Sequence, residues 1–156
     1  AITLVQAVSR GERMDWTLQK ATELGVKRIQ PVLSARSVVR LDEQQAAKKL
    51  RHWQAIVAAS CEQCGRSVLP EVRAPLDLAR FLAESPREGQ RLVLSPTGPA
   101  SLAGLAGMAS RVDDAEIDAA TRMGFAPVRL GPRVLRTETA GIVALTVLQA
   151  LWGDLQ

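Results

Sequence analysis

The residues best placed to do chemistry follow one another in the segment LGPRVLRTETA, at residues 130–140. A turn at Gly131 and Pro132 leads into two arginines, and Thr137 then begins an apolar helix. The first backbone N–H groups of a helix have no intrahelical partner and lie at its positive end, so they favour an anionic or polar ligand. A capped core helix preceded by solvated arginines would show the same spacing. The residues alone therefore indicate a candidate binding site and leave both interpretations open.

Three segments of the chain resemble one enzyme family. LGPRVLRTETA resembles the C-terminal signature of the RsmE-type 16S rRNA (uracil-N3) methyltransferases, a branch of the SPOUT superfamily. RMDWTLQKATELGVKRIQPVLSARSVV, at residues 13–39, resembles the first half of that family's methyltransferase domain, and EQCGRSVLPEV, at residues 62–72, resembles its middle. Three matches in family order predict one SPOUT methyltransferase domain over residues 1–156.

The resemblance implies methylation of uracil N3 in 16S rRNA of the small ribosomal subunit, a step of rRNA processing in ribosome biogenesis, with S-adenosyl-L-methionine as the methyl donor. Such a transfer needs alignment of donor and acceptor atoms and no metal. We predict that Arg136 stabilises the developing uridinate anion. Glu138 is the nearest candidate proton acceptor. The alternatives are an arginine that holds phosphate or faces solvent, and an acid placed for the helix dipole.

The predicted cofactor pocket lies beyond the carboxyl ends of two strands, where ligands of parallel sheets bind. One wall would be Leu94, Ser95 and Pro96, and the other would be Leu130, Gly131, Leu135, Thr137 and Thr139. The resemblance also implies that the C-terminal segment is threaded through a trefoil knot. Nothing in the periodicity of the sequence shows a knot, and knots are rare.

The charge balance is compatible with an RNA partner. Lys and Arg number 20 against 16 Asp and Glu, giving a net charge of +4. Aromatic residues make up 3% and Tyr is absent, which argues against a sheet that stacks bases on aromatic side chains. The target base would have to be exposed or flipped out. The candidate RNA-binding residues, each of which could instead be merely solvated, are Arg10, Arg36, Arg40, Arg66 and Arg133.

The two cysteines do not predict a metal site. Cys61 and Cys64 have C-x-x-C spacing, but the chain offers no second cysteine pair and His52 is its one histidine. A tetrahedral zinc site therefore cannot be assembled within one chain. Both cysteines continue an apolar helical stripe with Trp53 and Val57, which predicts buried, reduced thiols.

Strand-like and helix-like segments alternate along the chain. This pattern predicts an α/β fold with a mainly parallel sheet and helices on both faces. The predicted strands are 2–8, 28–33, 68–72, 91–95 and 126–130, and the predicted helices are 14–24, 43–63, 77–83, 99–109 (weakly), 113–123 and the C-terminal helix through Trp152.

One irregularity interrupts the alternation before Asp113. The related family carries a strand and a GPEGG-like loop there, whereas this chain has only Ser110, Arg111 and Val112. We expect a stretch to be missing between Val112 and Asp113; the alternative is a natural deletion that cripples the enzyme. The family's N-terminal PUA-like or OB-like RNA-binding domain is also expected to be absent from this chain.

Other functional classes stay open at this point. The alternatives are another SPOUT RNA methyltransferase (acting on tRNA or on the ribose 2′-O) and a non-catalytic RNA-binding module that retains the fold. A nucleotide-binding enzyme of doubly wound topology is disfavoured because no G-x-G-x-x-G follows the first strand. The apolar helix at 140–152 is too short to span a bilayer, so we expect a cytoplasmic protein. Apolar residues surround that helix, which predicts a homodimer.

Overall fold

The protein was studied as a computed structural model, which describes residues 1–35, 41–101 and 113–155. Strands and helices alternate along most of the chain, as predicted. The strands are β1 (Thr3–Ala7), β2 (Arg28–Leu33), β3 (Glu71–Val72), β4 (Leu76–Asp77), β5 (Leu92–Leu94), β6 (Ala100–Ser101) and β7 (Ala126–Arg129). The helices are α1 (Glu12–Glu23), α2 (Glu43–Cys64), α3 (Leu78–Glu84), α4 (Asp114–Arg122) and α5 (Thr137–Trp152).

Local side-chain chemistry sets the ends of α2 and α4. The Asp42 carboxylate accepts from the backbone N–H of Gln45 at 2.7 Å, and the Gln45 side chain accepts from the Asp42 N–H at 3.2 Å. Asp113 and Glu116 form the same reciprocal capping box at the start of α4. Gly65 ends α2 in a left-handed conformation with φ 77°. These predicted boundaries are confirmed.

The strands form two parallel sheets where the sequence predicted one. In the first, β2 lies between β1 and the short strands β3 and β4, with Thr3 opposite Arg28 and Ala7 opposite Val32. In the second, β7 lies between β5 and β6, with Leu92 opposite Ala126. All of these pairings are parallel.

Helices cover both faces of the first sheet, as expected for parallel strands. Leu4 of β1 and Val8, the residue that follows the strand, pack in a cluster with residues of α1, α2 and α5. Val5 and Ala7, which alternate with them, pack with residues of α3 and α4. Because successive side chains of a strand point to opposite faces, one short strand contributes to two cores.

The predicted weak helix at residues 99–109 is wrong at its start. Ala100 and Ser101 form β6, which pairs in parallel with Val128 and Arg129 of β7. Pairing with β7 gives their backbone groups hydrogen-bond partners that local propensity does not reveal. Residues 102–109 lie outside the described part of the chain, as do Val112 and the predicted break beside it.

The prediction of two buried thiols is half correct. Both cysteines are free, but Cys61 is buried and Cys64 is exposed. The apolar stripe passes through Trp53, Val57 and Cys61, and Cys64 lies at the last residue of α2, beyond the packed face. Burial raises the pKa of the Cys61 thiol, an effect that the positive charge of Arg66 partly offsets. This thiol is therefore poorly activated as a nucleophile.

Candidate active site

The carboxyl ends of β5 and β7 lie side by side. The Ser95 N–H donates to the Val128 carbonyl at 2.9 Å, and the chain after Ser95 turns so that the Gly98 N–H donates back to the Ser95 carbonyl at 3.2 Å. Gly98 packs closely on β7, because a Cβ at this position would lie 2.8 Å from the Val128 carbonyl carbon. The backbones of the two strands therefore approach each other where the predicted pocket begins.

After β7 the chain bends at Gly131, whose φ of 82° is left-handed. It then enters α5 at Arg136, which has extended dihedral angles and makes no capping hydrogen bond through its side chain. The Ala140 N–H donates to the Arg136 carbonyl at 2.8 Å, which closes the first turn. The side chain of Arg136, the N-cap residue, therefore leaves the N–H groups at the positive end of α5 uncapped.

These elements enclose a cavity of about 550 Å³. Its lining combines the ends of β5 and β7, the first turn of α5 and one residue of α1. The lining residues are Arg13, Leu94, Ser95, Pro96, Val128, Arg129, Leu130, Gly131, Arg133, Val134, Leu135, Arg136, Thr137, Glu138 and Ala140.

The cavity brings together most of the predicted site residues. Seven of the eight predicted cofactor-binding residues line it, as do Arg136 and Glu138. Thr139 is not among the lining residues. At about 3.6 residues per turn it lies on the other side of α5 from the face formed by Thr137, Glu138 and Ala140.

The cavity carries an excess of positive charge. Among the described residues, it is lined by one carboxylate, that of Glu138, and by four arginines: Arg13, Arg129, Arg133 and Arg136. Arg133 and Arg136 belong to the signature segment, but the sequence analysis did not predict that Arg13 and Arg129 belong to the site. Arg129 could have been predicted, because it follows buried Val128 in a strand whose side chains alternate between the two faces. No local feature of the sequence places α1 beside the site.

Arg13 forms an ion pair with Glu138 in the lining of the cavity. The Arg13 Nε atom lies 3.9 Å from Glu138 Oε1. The Glu138 side chain is 15% exposed and that of Arg13 is 62% exposed. The pair therefore joins the start of α1 to the start of α5 at the edge of the pocket.

The other predicted RNA-binding arginines are dispersed. Arg66 donates to the carbonyl oxygens of Thr22 at 2.7 Å and Val26 at 3.0 Å, so its guanidinium holds the C-terminal end of α1. Arg10 is exposed in the turn before α1. Arg36 and Arg40 lie outside the described residues. For all four, binding to RNA stays a prediction.

The described residues contain neither a cluster of metal ligands nor a membrane-spanning helix. Within residues 1–35, 41–101 and 113–155, no three His, Cys, Asp or Glu side chains come together as metal ligands would. In the same ranges no helix combines the length and apolar character needed to cross a membrane.

Comparison with known proteins decides the family. The sequence model of one protein family, the RNA methyltransferase domain, matches residues 1–149. The chain belongs to this family. Ribosomal RNA small subunit methyltransferase E of Buchnera aphidicola subsp. Acyrthosiphon pisum is 31% identical over 163 residues, which cover 98% of this chain and 64% of the relative. The same enzyme of Buchnera aphidicola subsp. Schizaphis graminum is 35% identical over 164 residues, covering 99% of this chain and 67% of the relative.

A solved structure resembles this chain over nearly its whole length. Ribosomal RNA small subunit methyltransferase E from Neisseria gonorrhoeae, crystallised with bound S-adenosyl methionine, superposes with a TM-score of 0.89 at 41% identity. The match covers 99% of this chain and 68% of that one. The domain thus spans about two thirds of its relatives' length. The two Buchnera alignments are longer than its 156 residues, so those relatives contain residues without a counterpart here.

Proposed function

We propose that this domain transfers a methyl group from S-adenosylmethionine to N3 of a uridine in the RNA of the small ribosomal subunit. The observation that carries the proposal is the cavity at the carboxyl ends of β5 and β7, closed by the first turn of α5. The uracil N3 position follows from the resemblance to the RsmE-type enzymes, and the small-subunit substrate from the names of the relatives. Because its substrate is ribosomal RNA, the domain would act in the cytoplasm.

The cavity suits S-adenosylmethionine in size and lining. A volume of about 550 Å³ lies within the range of small-molecule pockets, roughly 300–1,000 Å³. Leu94, Leu130 and Leu135 offer apolar surface for the adenine ring. A side chain at Gly131 would meet open space, so the backbone there is accessible to a ligand. The N–H groups at the start of α5 would hold the carboxylate of the methionine moiety.

In this proposal the residues of the chain bind the base and manage its proton. When bound, S-adenosylmethionine supplies the methyl group, whose carbon–sulfur bond breaks as the nitrogen–carbon bond forms. Glu138 accepts the proton of uracil N3 on its carboxylate. Arg136 stabilises the negative charge left on the base. Arg133 and Arg129, at the rim of the cavity, contact RNA phosphate.

Nucleoside mass spectrometry tests this assignment. Unmethylated small ribosomal subunits are incubated with the protein and S-adenosylmethionine, and their RNA is digested to nucleosides. The proposal predicts 3-methyluridine. A 2′-O-methylated nucleoside would identify the sister activity within the superfamily. Methylation of tRNA in preference to the subunit would contradict the proposed substrate.

We propose further that the fold is of the SPOUT type, with residues 130–140 threaded through a trefoil knot. Support comes from the signature segment and from the family to which the chain belongs. An experimental structure in which residues 130–156 could be drawn out without passing through a loop would overturn the knot.

We also propose that the protein is a homodimer. In the described part of the chain, α5 exposes part of its apolar surface: Val143, Leu151 and Trp152 are 36%, 41% and 60% exposed. Leu145 and Leu148, on the inner side of the helix, are buried. A twofold partner is the commonest way to cover such a surface.

A non-catalytic RNA-binding module is the alternative function. The observation in its favour is that the Buchnera relatives contain residues with no counterpart here, while the family's glycine-rich loop is expected just before Asp113. A module of this kind would bind RNA without saturable binding of S-adenosylmethionine. Measuring that binding separates the two functions.

A further inference from the structure

Among the described residues that line the cavity, Arg13 is the one that belongs to α1, and it contacts Glu138 there. Both side chains line the pocket, and Arg13 Nε lies 3.9 Å from Glu138 Oε1. Within the described residues, Arg13 is the charged group that pairs with Glu138. The contact therefore joins the Glu138 carboxylate to a cation on a different helix.

A partner on another element can hold the Glu138 side chain in one orientation. Its side chain has several rotatable bonds, and from the first turn of α5 it could turn outward to water. At 15% exposure it instead lies along the cavity wall. Arg13 approaches from another helix, α1, and its backbone is held there because its carbonyl accepts from the Thr17 hydroxyl at 2.9 Å.

The pair is not built for stability. Arg13 is 62% exposed, and ion pairs with an exposed partner contribute little to the free energy of folding. Its effect on a reaction can be larger, because a proton acceptor must be held within hydrogen-bond reach of the proton that it removes. The contact thus matters more for orientation than for folding.

We propose that Arg13 is a positioning residue, which holds the Glu138 carboxylate toward the bound uracil. This inference rests on the proposed function, in which Glu138 accepts the N3 proton. In this role Arg13, which lines the cavity, acts through Glu138 and not by binding the base or the methyl donor itself. Removing it therefore slows proton removal without weakening the binding of either substrate.

A double-mutant cycle on turnover tests the role. Arg13→Ala should lower kcat about tenfold or more and leave KM for RNA and for S-adenosylmethionine within twofold. When Glu138 is already Gln, Arg13→Ala should have no further effect, because the two residues act as one unit. Lys48→Ala, which removes a cation from an exposed position of α2, serves as the control and should leave kcat unchanged.

Two results would overturn the inference. Additive losses of kcat, or a raised KM for RNA, would make Arg13 an independent RNA contact. A wild-type protein without turnover would instead refute the proposed function, and the role of Arg13 with it.

A measurement without catalysis tests the pair itself. Arg13→Glu and Glu138→Arg each place like charges together, so each should lower the melting temperature at low salt. The double variant restores opposite charges and should recover about 1–2 °C relative to the sum of the single effects. Purely additive melting temperatures would mean that the pair does not form in solution and would overturn the inference.

Discussion

At the scale of single residues, the site is an arginine cluster around one carboxylate. Arg136 is the N-cap residue of α5. Only its backbone takes part in the helix, through the carbonyl that accepts from the Ala140 N–H. Its guanidinium makes no capping contact. The side chain is thus available to a ligand, and replacing it should leave the helix intact.

Arg136→Ala should therefore reduce methylation about a hundredfold or more, because a group that stabilises charge in the transition state contributes mainly to kcat. Its melting temperature should match that of the wild type. Methyl transfer and thermal unfolding are measured on the same samples. Arg80→Ala is the matched control, since Arg80 is exposed on α3 and pairs with Glu84 at 2.7 Å. Activity of the Arg136 variant within a few-fold of wild type would reject its role.

At the scale of elements, the cavity depends on how closely β5 and β7 approach. Gly98 sits at the contact between the turn after β5 and the backbone of β7. A methyl group there would lie 2.8 Å from the Val128 carbonyl carbon and 3.0 Å from its nitrogen. Since both neighbours are backbone atoms, the strands would have to separate.

Gly98→Ala should lower the free energy of unfolding by about 1–3 kcal/mol, as overpacking does, and should weaken binding of S-adenosylmethionine. Gly65→Ala is the comparison, because a Cβ there meets nothing within 4 Å and only the left-handed φ of 77° is strained. That variant should lose stability and keep its affinity for S-adenosylmethionine. Chemical denaturation and ligand titration measure the two effects. A Gly98 variant as stable as wild type would show that the backbone of β7 leaves room for a methyl group at this position.

A second element-level contact ties β2 to β3. Glu71 accepts from Arg28 Nε at 2.6 Å and from Arg73 Nε at 2.8 Å. These hydrogen bonds lower the pKa of the Glu71 carboxyl below its ordinary value of 4.5. A lowered pKa in the folded state means stability that is present above 4.5 and is lost as the pH falls through the folded pKa.

Glu71→Gln should thus be slightly less stable than wild type at pH 7, and the difference should shrink as the pH is lowered below 4.5. Thermal melts over a pH series measure it. Glu88→Gln, at an exposed position between α3 and β5, should show no such dependence. A Glu71 difference that persists undiminished to the lowest pH at which the protein folds would contradict the sign of the shift.

The elements also show what local sequence can predict. The ends of α2 were predictable because Asp42, Gln45 and Gly65 act on neighbours in the chain. The two-residue strands β4 and β6 were not, since each exists only through its pairing with another strand. Gln6 is fully buried in β1, where the pattern predicts apolar residues. The signature segment predicted most of the pocket, but the contribution of Arg13 depends on the packing of α1 against α5.

At the scale of the whole molecule, the exposed side of α5 raises the question of assembly. Val143, Leu151 and Trp152 would bury apolar area against a second copy, and such burial is worth about 25 cal/mol per Å². Association through α5 would place two cavities near one interface. The dimer would then carry two binding cavities close to each other.

Light scattering at micromolar concentration should give a mass of twice 16.8 kDa. Trp152→Glu should shift the mass toward the monomer, because a charge would be buried in the interface. Trp16→Glu is the control, since Trp16 is 41% exposed on α1. A wild-type mass near 16.8 kDa would refute the dimer.

The central claim is that the cavity beside α5 holds S-adenosylmethionine. Equilibrium dialysis with the tritium-labelled compound tests it most directly, because it counts bound ligand without requiring turnover or RNA. We predict saturable binding of one molecule per chain at concentrations between about 1 μM and 1 mM, competed by S-adenosylhomocysteine. No saturable binding up to about 1 mM would contradict the claim and leave an RNA-binding module as the better description.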